Sequence, residues 1–218
     1  MNKHFIPCFA LAALLLFPYG TGESRVTEQK MSGLNYAMSY PEVILEDNRK
    51  AQERINKDLS RVTSGFYKDF KKGKFFEGRF SYKVRFEDDR YLSLTVADYR
   101  FQAGAAHGYT MTRGYTYDKT TGRRLPLRHF VKICPSDKRL VLQQPIYNVQ
   151  DKRVPLNETF ATDLAGYRMI KVTDNYCLNA KGNPVLIYPP YELACYAMGT
   201  LYIHLSPEMI DYFNRKNQ

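Results

Sequence analysis

The chain has 218 residues and a formal net charge of +10, with 32 Lys and Arg residues against 22 Asp and Glu residues. This length allows one domain with a substantial apolar core. A basic balance is compatible with nucleic acid, with an anionic polymer or surface, or with simple solubility, and charge alone does not choose between them.

The first residues have the parts of a secretory signal peptide. Lys3 supplies a positive n-region, residues 5–17 form an apolar h-region, and small glycines follow. The apolar segment is shorter than the roughly 20 residues that a membrane span needs. We therefore predict a signal peptide over residues 1–22 and a single domain over residues 23–218. The expected location is extracytoplasmic (periplasm, cell envelope or secreted), with no transmembrane segment in the mature chain and no nucleic-acid partner.

A strand and a long helix are predicted next. The strand covers residues 34–40. Asp47 or Asn48 can then cap a helix that runs to about Lys72 and ends at Gly73. Apolar residues recur along this helix at offsets of three and four, which places them on one face. They are Ala51, Ile55, Leu59, Val62, Phe66 and Phe70.

The following segment predicts an antiparallel meander of three strands. Residues 76–86 alternate strictly between apolar and polar side chains, which is typical of a strand with one buried face. Residues 91–101 and 109–118 are the second and third strands. Asp98 falls in the same phase as the apolar residues of the second strand. Either that strand is bent, or Asp98 has a buried partner.

The rest of the chain predicts short helices and then a return to β-structure. Apolar spacing indicates helices over residues 136–149 and 158–166, interrupted by prolines. A hairpin follows over residues 176–188, then a last strand over 201–205 and a short helix opened by Ser206. We therefore predict an α+β fold. Its antiparallel sheet comprises the meander, the C-terminal hairpin and the last strand, and it packs against one long N-terminal helix and shorter middle helices.

The short motifs of common catalytic and cofactor sites are absent from the sequence. There is no Gly-x-Ser-x-Gly elbow, no Ser-x-x-Lys pair, no phosphate-binding loop and no Rossmann fingerprint. The histidines and cysteines do not have the spacing of zinc ligands. We therefore predict no catalytic residue, no metal and no cofactor.

Two segments are candidates for binding. Residues 104–108 form a loop that is small everywhere except at His107, so its backbone can approach a ligand or a neighbouring segment, and a histidine there favours a local hydrogen bond. Residues 188–199 are rich in tyrosine, which is favoured at interfaces; the alternative is that these rings cap the open end of the sheet. The candidate binding residues are Gly104, His107, Gly108, Tyr188, Pro189, Tyr191, Glu192 and Tyr196.

Three cysteines follow the predicted signal peptide. Cys177 and Cys195 lie in neighbouring segments of the C-terminal β region, so a disulfide between them is one alternative. It would leave Cys134 free. The other alternative is that all three are free thiols.

Three motifs resemble a bacterial extracytoplasmic domain of unknown function. They lie at residues 99–108 (YRFQAGAAHG), 115–125 (YTYDKTTGRRL) and 191–199 (YELACYAMG). They have the order found in the family that includes the ectodomain of the anti-sigma factor RsiV and the N-terminal region of the peptidoglycan deacetylase PdaC. Ala106 and Cys195 depart from the family pattern.

This resemblance implies an α+β sandwich without established catalytic activity. One member of the family binds lysozyme. The expected function is an exported, non-catalytic binding domain of the cell envelope that recognises lysozyme-like protein or peptidoglycan, so its partner would be protein or cell-wall glycan. The alternative is a cell-wall hydrolase that uses His107 with a nearby carboxylate, Asp98 or Glu192.

Overall fold

The computed structural model describes residues 24–218 and contains two β-sheets. The predicted signal peptide lies outside the described residues. The strands of the first sheet, in spatial and chain order, are β1 (Ser24–Gly33), β2 (Tyr36–Leu45), β3 (Glu77–Glu87), β4 (Tyr91–Phe101), β5 (Tyr109–Asp118) and β6 (Arg123–Arg124). Those of the second sheet, in spatial order, are β8 (Arg153–Val154), β7 (Ile146–Tyr147), β11 (Leu201–His204), β10 (Pro184–Tyr188) and β9 (Tyr176–Leu178).

Four α-helices accompany the sheets in this part of the chain, and the predicted α+β class is confirmed. The helices are α1 (Arg49–Lys71), α2 (Lys138–Leu142), α3 (Leu164–Met169) and α4 (Pro207–Lys216). The strands form two sheets rather than the single sheet predicted. Neighbouring strands are antiparallel except β2 and β3, which are parallel because α1 carries the chain back between them.

The long helix α1 forms where it was predicted. The Asn48 side chain caps it by accepting a hydrogen bond from the backbone N–H of Ala51. Gly73 follows its end with a φ of 69°, a conformation that suits glycine. The buried face of α1 contributes Ile55 and Phe66 to a core that covers one side of the first sheet.

The meander of β3, β4 and β5 agrees with the prediction to within one residue at each end. Of the two explanations offered for Asp98, a bent strand or a buried partner, the structure shows a partner. The carboxylate of Asp98 accepts two hydrogen bonds from Arg100, both at 2.8 Å. Arg100 also donates to Asp69 of α1 at 2.9 Å. The pair therefore joins the helix to the sheet.

Two predicted elements are corrected by the structure. The first strand pair begins at Ser24, and Leu34, predicted to open a strand, lies 88% exposed in the turn of the β1–β2 hairpin. The helix predicted over residues 136–149 ends at Leu142. Pro145 follows, cannot donate a backbone hydrogen bond, and accepts one from His204 through its carbonyl group. The chain is thereby turned into β7.

The helix predicted over residues 158–166 is also corrected. Two 3₁₀ turns, Leu156–Glu158 and Phe160–Thr162, occupy most of that stretch, and α3 begins only at Leu164. The Asp163 side chain caps α3 by accepting a hydrogen bond from the backbone N–H of Gly166. The cap sets the start of the helix later than the apolar spacing indicated.

The two sheets meet through polar groups. The Ser93 hydroxyl lies 2.9 Å from that of Thr116 and accepts a hydrogen bond from the backbone N–H of Leu178. The side chain of Asn175 accepts from the N–H of Gly114 at 2.9 Å and donates to the carbonyl of Thr112 at 2.8 Å. Because these buried polar groups are fully hydrogen-bonded, they favour a single position of the two sheets relative to each other. They support our proposal that residues 23–218 form a single domain.

The two sheets approach each other closely at Gly114. A Cβ atom at Gly114 would lie 1.6 Å from the carbonyl oxygen of Tyr176, which is backbone and cannot rotate away. We predict that Gly114→Ala lowers the free energy of unfolding by about 3 kcal/mol, the upper range for overpacking a core. Urea denaturation measures this change.

Gly65→Ala is the matched control, because a Cβ at Gly65 in α1 meets nothing within 4 Å. Removing a glycine from a helix stabilises it by roughly 0.5–1 kcal/mol. Equal effects of the two substitutions would contradict the close approach at Gly114.

The C-terminal helix is anchored by a buried carboxylate. Asp137 is fully buried and accepts hydrogen bonds from the backbone N–H of Cys134, from Asn217 and from Lys216. Burial alone would raise the pKa of Asp137, but these hydrogen bonds and the charge of Lys216 outweigh it, so the pKa is lowered.

We predict that Asp137→Asn destabilises the protein by roughly 3 kcal/mol at pH 7, because Lys216 loses its partner and the buried hydrogen bonds are disrupted. A lowered folded pKa contributes stability above the unfolded pKa of about 3.9, and that contribution is lost as the pH falls through the folded value. The difference in the free energy of unfolding between the wild type and Asp137→Asn should therefore become smaller below pH 4. Urea denaturation at several pH values measures it. Asp211→Asn, at an exposed position of α4, should change little at either pH.

Candidate functional site

The loop between β4 and β5 presents His107 at the surface in a fixed orientation. The Nδ1 atom of His107 lies 3.0 Å from the carbonyl oxygen of Gly108, so this nitrogen carries the hydrogen that is donated. Its Nε2 atom lies 3.5 Å from the hydroxyl of Tyr191, which donates a weak bond to it. His107 therefore forms the local hydrogen bond to the backbone that the sequence favours.

Tyr196 lies beneath the histidine. The two rings stack with centroids 3.7 Å apart and an angle of 22° between their planes. The Tyr196 hydroxyl donates to the carbonyl of Gly108 at 2.8 Å, and the Tyr109 hydroxyl donates to that of Pro190 at 3.3 Å. These contacts fasten the loop of the first sheet to the C-terminal segment.

Tyr191 is presented outward by an unusual backbone conformation. Its φ is 71°, and its N–H donates to the carbonyl of Ala194 at 2.9 Å, closing a tight turn. A residue with a Cβ costs roughly 1–2 kcal/mol in this left-handed region. The turn leaves the Tyr191 side chain 54% exposed, with its ring centroid 6.0 Å from that of Tyr196. We call His107, Tyr191 and Tyr196 the Tyr–His surface.

The other predicted binding residues are divided between this surface and the interior. Tyr188 and Pro189 are buried, and burial raises the pKa of Tyr188 to about 12, so neither side chain is available to a ligand. Gly108 is buried beneath His107, and Gly104 is exposed with a φ of 82°.

Glu192 is exposed beside Tyr191. Partial desolvation by its surroundings raises the pKa of its carboxyl group, and the positive charge of Arg113 opposes the shift.

The structure does not assemble a catalytic pair around His107. Within residues 24–218, no carboxylate forms a hydrogen bond or an ion pair with this histidine. Both oxygens of Asp98 are occupied by Arg100. His129 and His204 lie elsewhere, bonded to Tyr91 and packed on Tyr147 respectively. In the same part of the chain, no group of three or more His, Cys, Asp or Glu side chains is placed to hold a metal ion.

The candidate disulfide is not formed. Cys134, Cys177 and Cys195 are all free thiols. Cys177 is buried on β9, where it packs with Val185 and Tyr202, whereas Cys195 is exposed.

The sequence analysis missed a groove of about 460 Å³ beside the Tyr–His surface. We call it the hydroxyl groove. Its lining includes Ser81, Lys83, Thr95 and Thr110 on the sheet side and Pro190 and Tyr196 on the other. Its signal in the sequence was the run of Ser and Thr at alternate positions of β4 and β5, opposite the apolar face. A second groove of about 530 Å³ lies between α1 and the β1–β2 hairpin and contains none of the predicted site residues.

Comparisons with known protein families give two matches, in separate parts of the chain. Residues 27–110 match the model of the family described as deacetylase PdaC, and residues 147–207 match that of the protein of unknown function DUF3298. The predicted resemblance to the PdaC type of domain is thereby confirmed. The likeness to the RsiV ectodomain rests on the three motifs and stays a prediction.

Two solved structures of DUF3298 family proteins have a similar fold. The protein from Pseudomonas aeruginosa PAO1 is 13% identical, with a TM-score of 0.56 over 87% of this chain and 93% of its own. The protein from Bacteroides fragilis NCTC 9343 is 17% identical, with a TM-score of 0.58 over 88% and 94% of the two chains. No curated protein matches the chain.

The Tyr–His surface is built by both matched segments. His107 belongs to the PdaC-matched segment, whereas Tyr191 and Tyr196 belong to the DUF3298-matched segment. The stacking and hydrogen bonds between these residues therefore join the two segments. As for membranes, no helix in residues 24–218 has both the length and the apolar character needed to cross one.

We predict that Tyr196→Phe loosens the loop of residues 102–108, because it removes the hydrogen bond to Gly108 while keeping the stacked ring. A single hydrogen bond of this kind contributes about 1 kcal/mol. Amide hydrogen exchange in the loop should therefore accelerate about fivefold. Tyr191→Phe is the control, since its hydroxyl makes only the long contact with His107. Unchanged exchange in Tyr196→Phe would contradict the role of this bond.

Proposed function

We propose that the chain is an exported, non-catalytic binding domain of the cell envelope, which recognises a protein or a cell-wall glycan through the Tyr–His surface. The observation that carries this proposal is the state of His107, which is stacked and hydrogen-bonded within the protein next to an exposed tyrosine. Such an arrangement offers a rigid aromatic face to a partner.

Three further features support binding at this surface. Tyrosine gives a large contact area at low entropic cost, and Tyr191 is held outward by a conformation with a positive φ. Backbone strain of this kind is concentrated at functional sites in proteins. The signal peptide predicted from the sequence and the match to PdaC support an extracytoplasmic location. The expected partners are therefore lysozyme-like protein and peptidoglycan.

The alternative, a hydrolase that uses His107, gains no support from the geometry. General acid–base catalysis needs a histidine nitrogen free to exchange a proton with substrate, and both ring nitrogens of His107 contact the protein. Glu192 has a raised pKa but no hydrogen bond to the histidine. We therefore favour binding over catalysis.

We predict that Tyr191→Ala weakens binding to insoluble peptidoglycan, or to lysozyme, at least tenfold, because an exposed aromatic anchor at an interface contributes about 2 kcal/mol. Co-sedimentation with cell-wall sacculi and calorimetric titration with lysozyme measure the two partners. Tyr212→Ala is the matched control, since Tyr212 is an exposed tyrosine on α4 outside this surface.

The wild-type protein should release no soluble fragments from sacculi. Absence of binding to both partners, or equal losses in the two variants, would refute the proposed surface. Release of fragments that His107→Ala abolishes would establish the hydrolase instead.

A further inference from the structure

The hydroxyl groove contains polar side chains that the protein leaves unpaired. Among the hydrogen bonds of residues 24–218, none uses the hydroxyl of Ser81, Thr95 or Thr110. Thr95 is only 7% exposed, yet no fully buried polar atom in this part of the chain lacks a partner. The small exposed part of Thr95 therefore includes its hydroxyl, which faces the groove. By contrast, the neighbouring Thr112 and Thr200 bond to each other at 3.0 Å.

Positive charge lies along one side of the groove. Lys83 and Arg85 project from alternate positions of β3, and no Asp or Glu is among the described residues that line the groove. The guanidinium group of Arg85 lies 5.3 Å from the ring centroid of Tyr202, which holds it in place. Lys83 is exposed and forms no ion pair within residues 24–218. The groove therefore attracts an anion.

The groove also continues into the Tyr–His surface, because Tyr196 belongs to both. A ligand lying along it would meet two cations, then unpaired hydroxyls, then tyrosine rings. Its volume of about 460 Å³ falls within the range of roughly 300–1,000 Å³ that is usual for ligand sites.

We infer that the hydroxyl groove binds an acidic oligosaccharide, with a carboxylate of the ligand at Lys83 and Arg85 and its sugar rings on the side of Tyr196. The inference rests on the proposed function and specifies its ligand. Sugar hydroxyls both donate and accept hydrogen bonds, as Ser and Thr hydroxyls do, so the two sets can pair without leaving a group unsatisfied. The apolar faces of sugar rings pack against tyrosine, and the carboxylate forms charge-assisted hydrogen bonds with Lys and Arg.

A protein partner fits this groove less well. The buried centre of a protein interface is depleted of charged and small polar residues and enriched in aromatic and apolar ones. Here Ser, Thr, Lys and Arg side chains contribute most of the sheet side of the groove, alongside Tyr82 and Ala97. A glycan therefore suits the hydroxyl groove better than a protein does, and binding of a protein alone is one of the outcomes that the test below can show.

The test measures the binding of three oligosaccharides by calorimetry. The disaccharide-tetrapeptide of peptidoglycan and a pentamer of galacturonate both carry carboxylates, whereas chitotetraose is neutral. We expect at least one acidic probe to bind more tightly than chitotetraose. Its Kd should rise when the salt concentration is raised from 50 to 500 mM, because screening weakens exposed charge pairs.

The variant Lys83→Gln removes the exposed cation and keeps a side chain of similar length. Its Kd for the acidic probe should rise about two- to fivefold, in keeping with one exposed ion pair. Lys57→Gln is the matched control, because it makes the same charge change on the exposed face of α1 and should leave the Kd unchanged. Circular dichroism of both variants checks that they are folded.

Each outcome separates this inference from the proposed function. If chitotetraose binds as tightly as the acidic probes and Lys83→Gln has no effect, the acidic ligand is refuted and glycan binding stands. If lysozyme binds and no oligosaccharide does, the groove inference fails while the binding domain stands. If neither oligosaccharides, sacculi nor lysozyme bind, both proposals fail. Binding of the disaccharide-tetrapeptide alone, lost in Lys83→Gln, identifies peptidoglycan as the source of the carboxylate.

Discussion

The structure depends on the close approach of the two sheets at Gly114. Here the carbonyl group of Tyr176 occupies the space that a side chain at position 114 would need, and Asn175 of the same segment bonds the backbone of Gly114 and Thr112. Backbone packed on backbone leaves little freedom for rotation between the sheets. The loop that precedes β5 and the segment that follows β10 also contact each other, through the stacking of His107 on Tyr196.

The elements that were predicted correctly are those with a periodic pattern or a capping residue in their own sequence. The apolar face of α1 with its Asn48 cap, and the strict alternation of β3, specify those elements without help from distant parts of the chain. By contrast, β1 is a half-exposed edge strand of mostly polar residues, and it has no such pattern. The two-residue strands β7 and β8 are too short to show any period. β7 forms because β11 offers it a partner, and β8 in turn pairs with β7, so both depend on residues outside their own segment.

The candidate site, too, was predicted only in part from the sequence. The small loop around His107 and the tyrosine-rich segment were both recognised from composition, and the structure brings His107, Tyr191 and Tyr196 together. Composition did not distinguish Tyr188, which faces the core, from Tyr191, because that difference depends on a single positive φ three residues later. The hydroxyl groove could not be predicted either. Its floor is the polar face of the meander, and only the position of the second sheet decides how much of that face stays open.

The thiol of Cys177 is buried, and its burial determines how this residue reacts with oxidants. Burial raises its pKa, and because the thiolate is the species that attacks disulfides and oxidants, the folded protein keeps this sulfur unreactive. Packing therefore protects this sulfur for as long as the second sheet stays closed. When the sheet opens, the thiol becomes accessible to oxidants, and oxidation beyond the sulfenic acid is irreversible. Such a product at Cys177 would mark the molecules that have opened at least once.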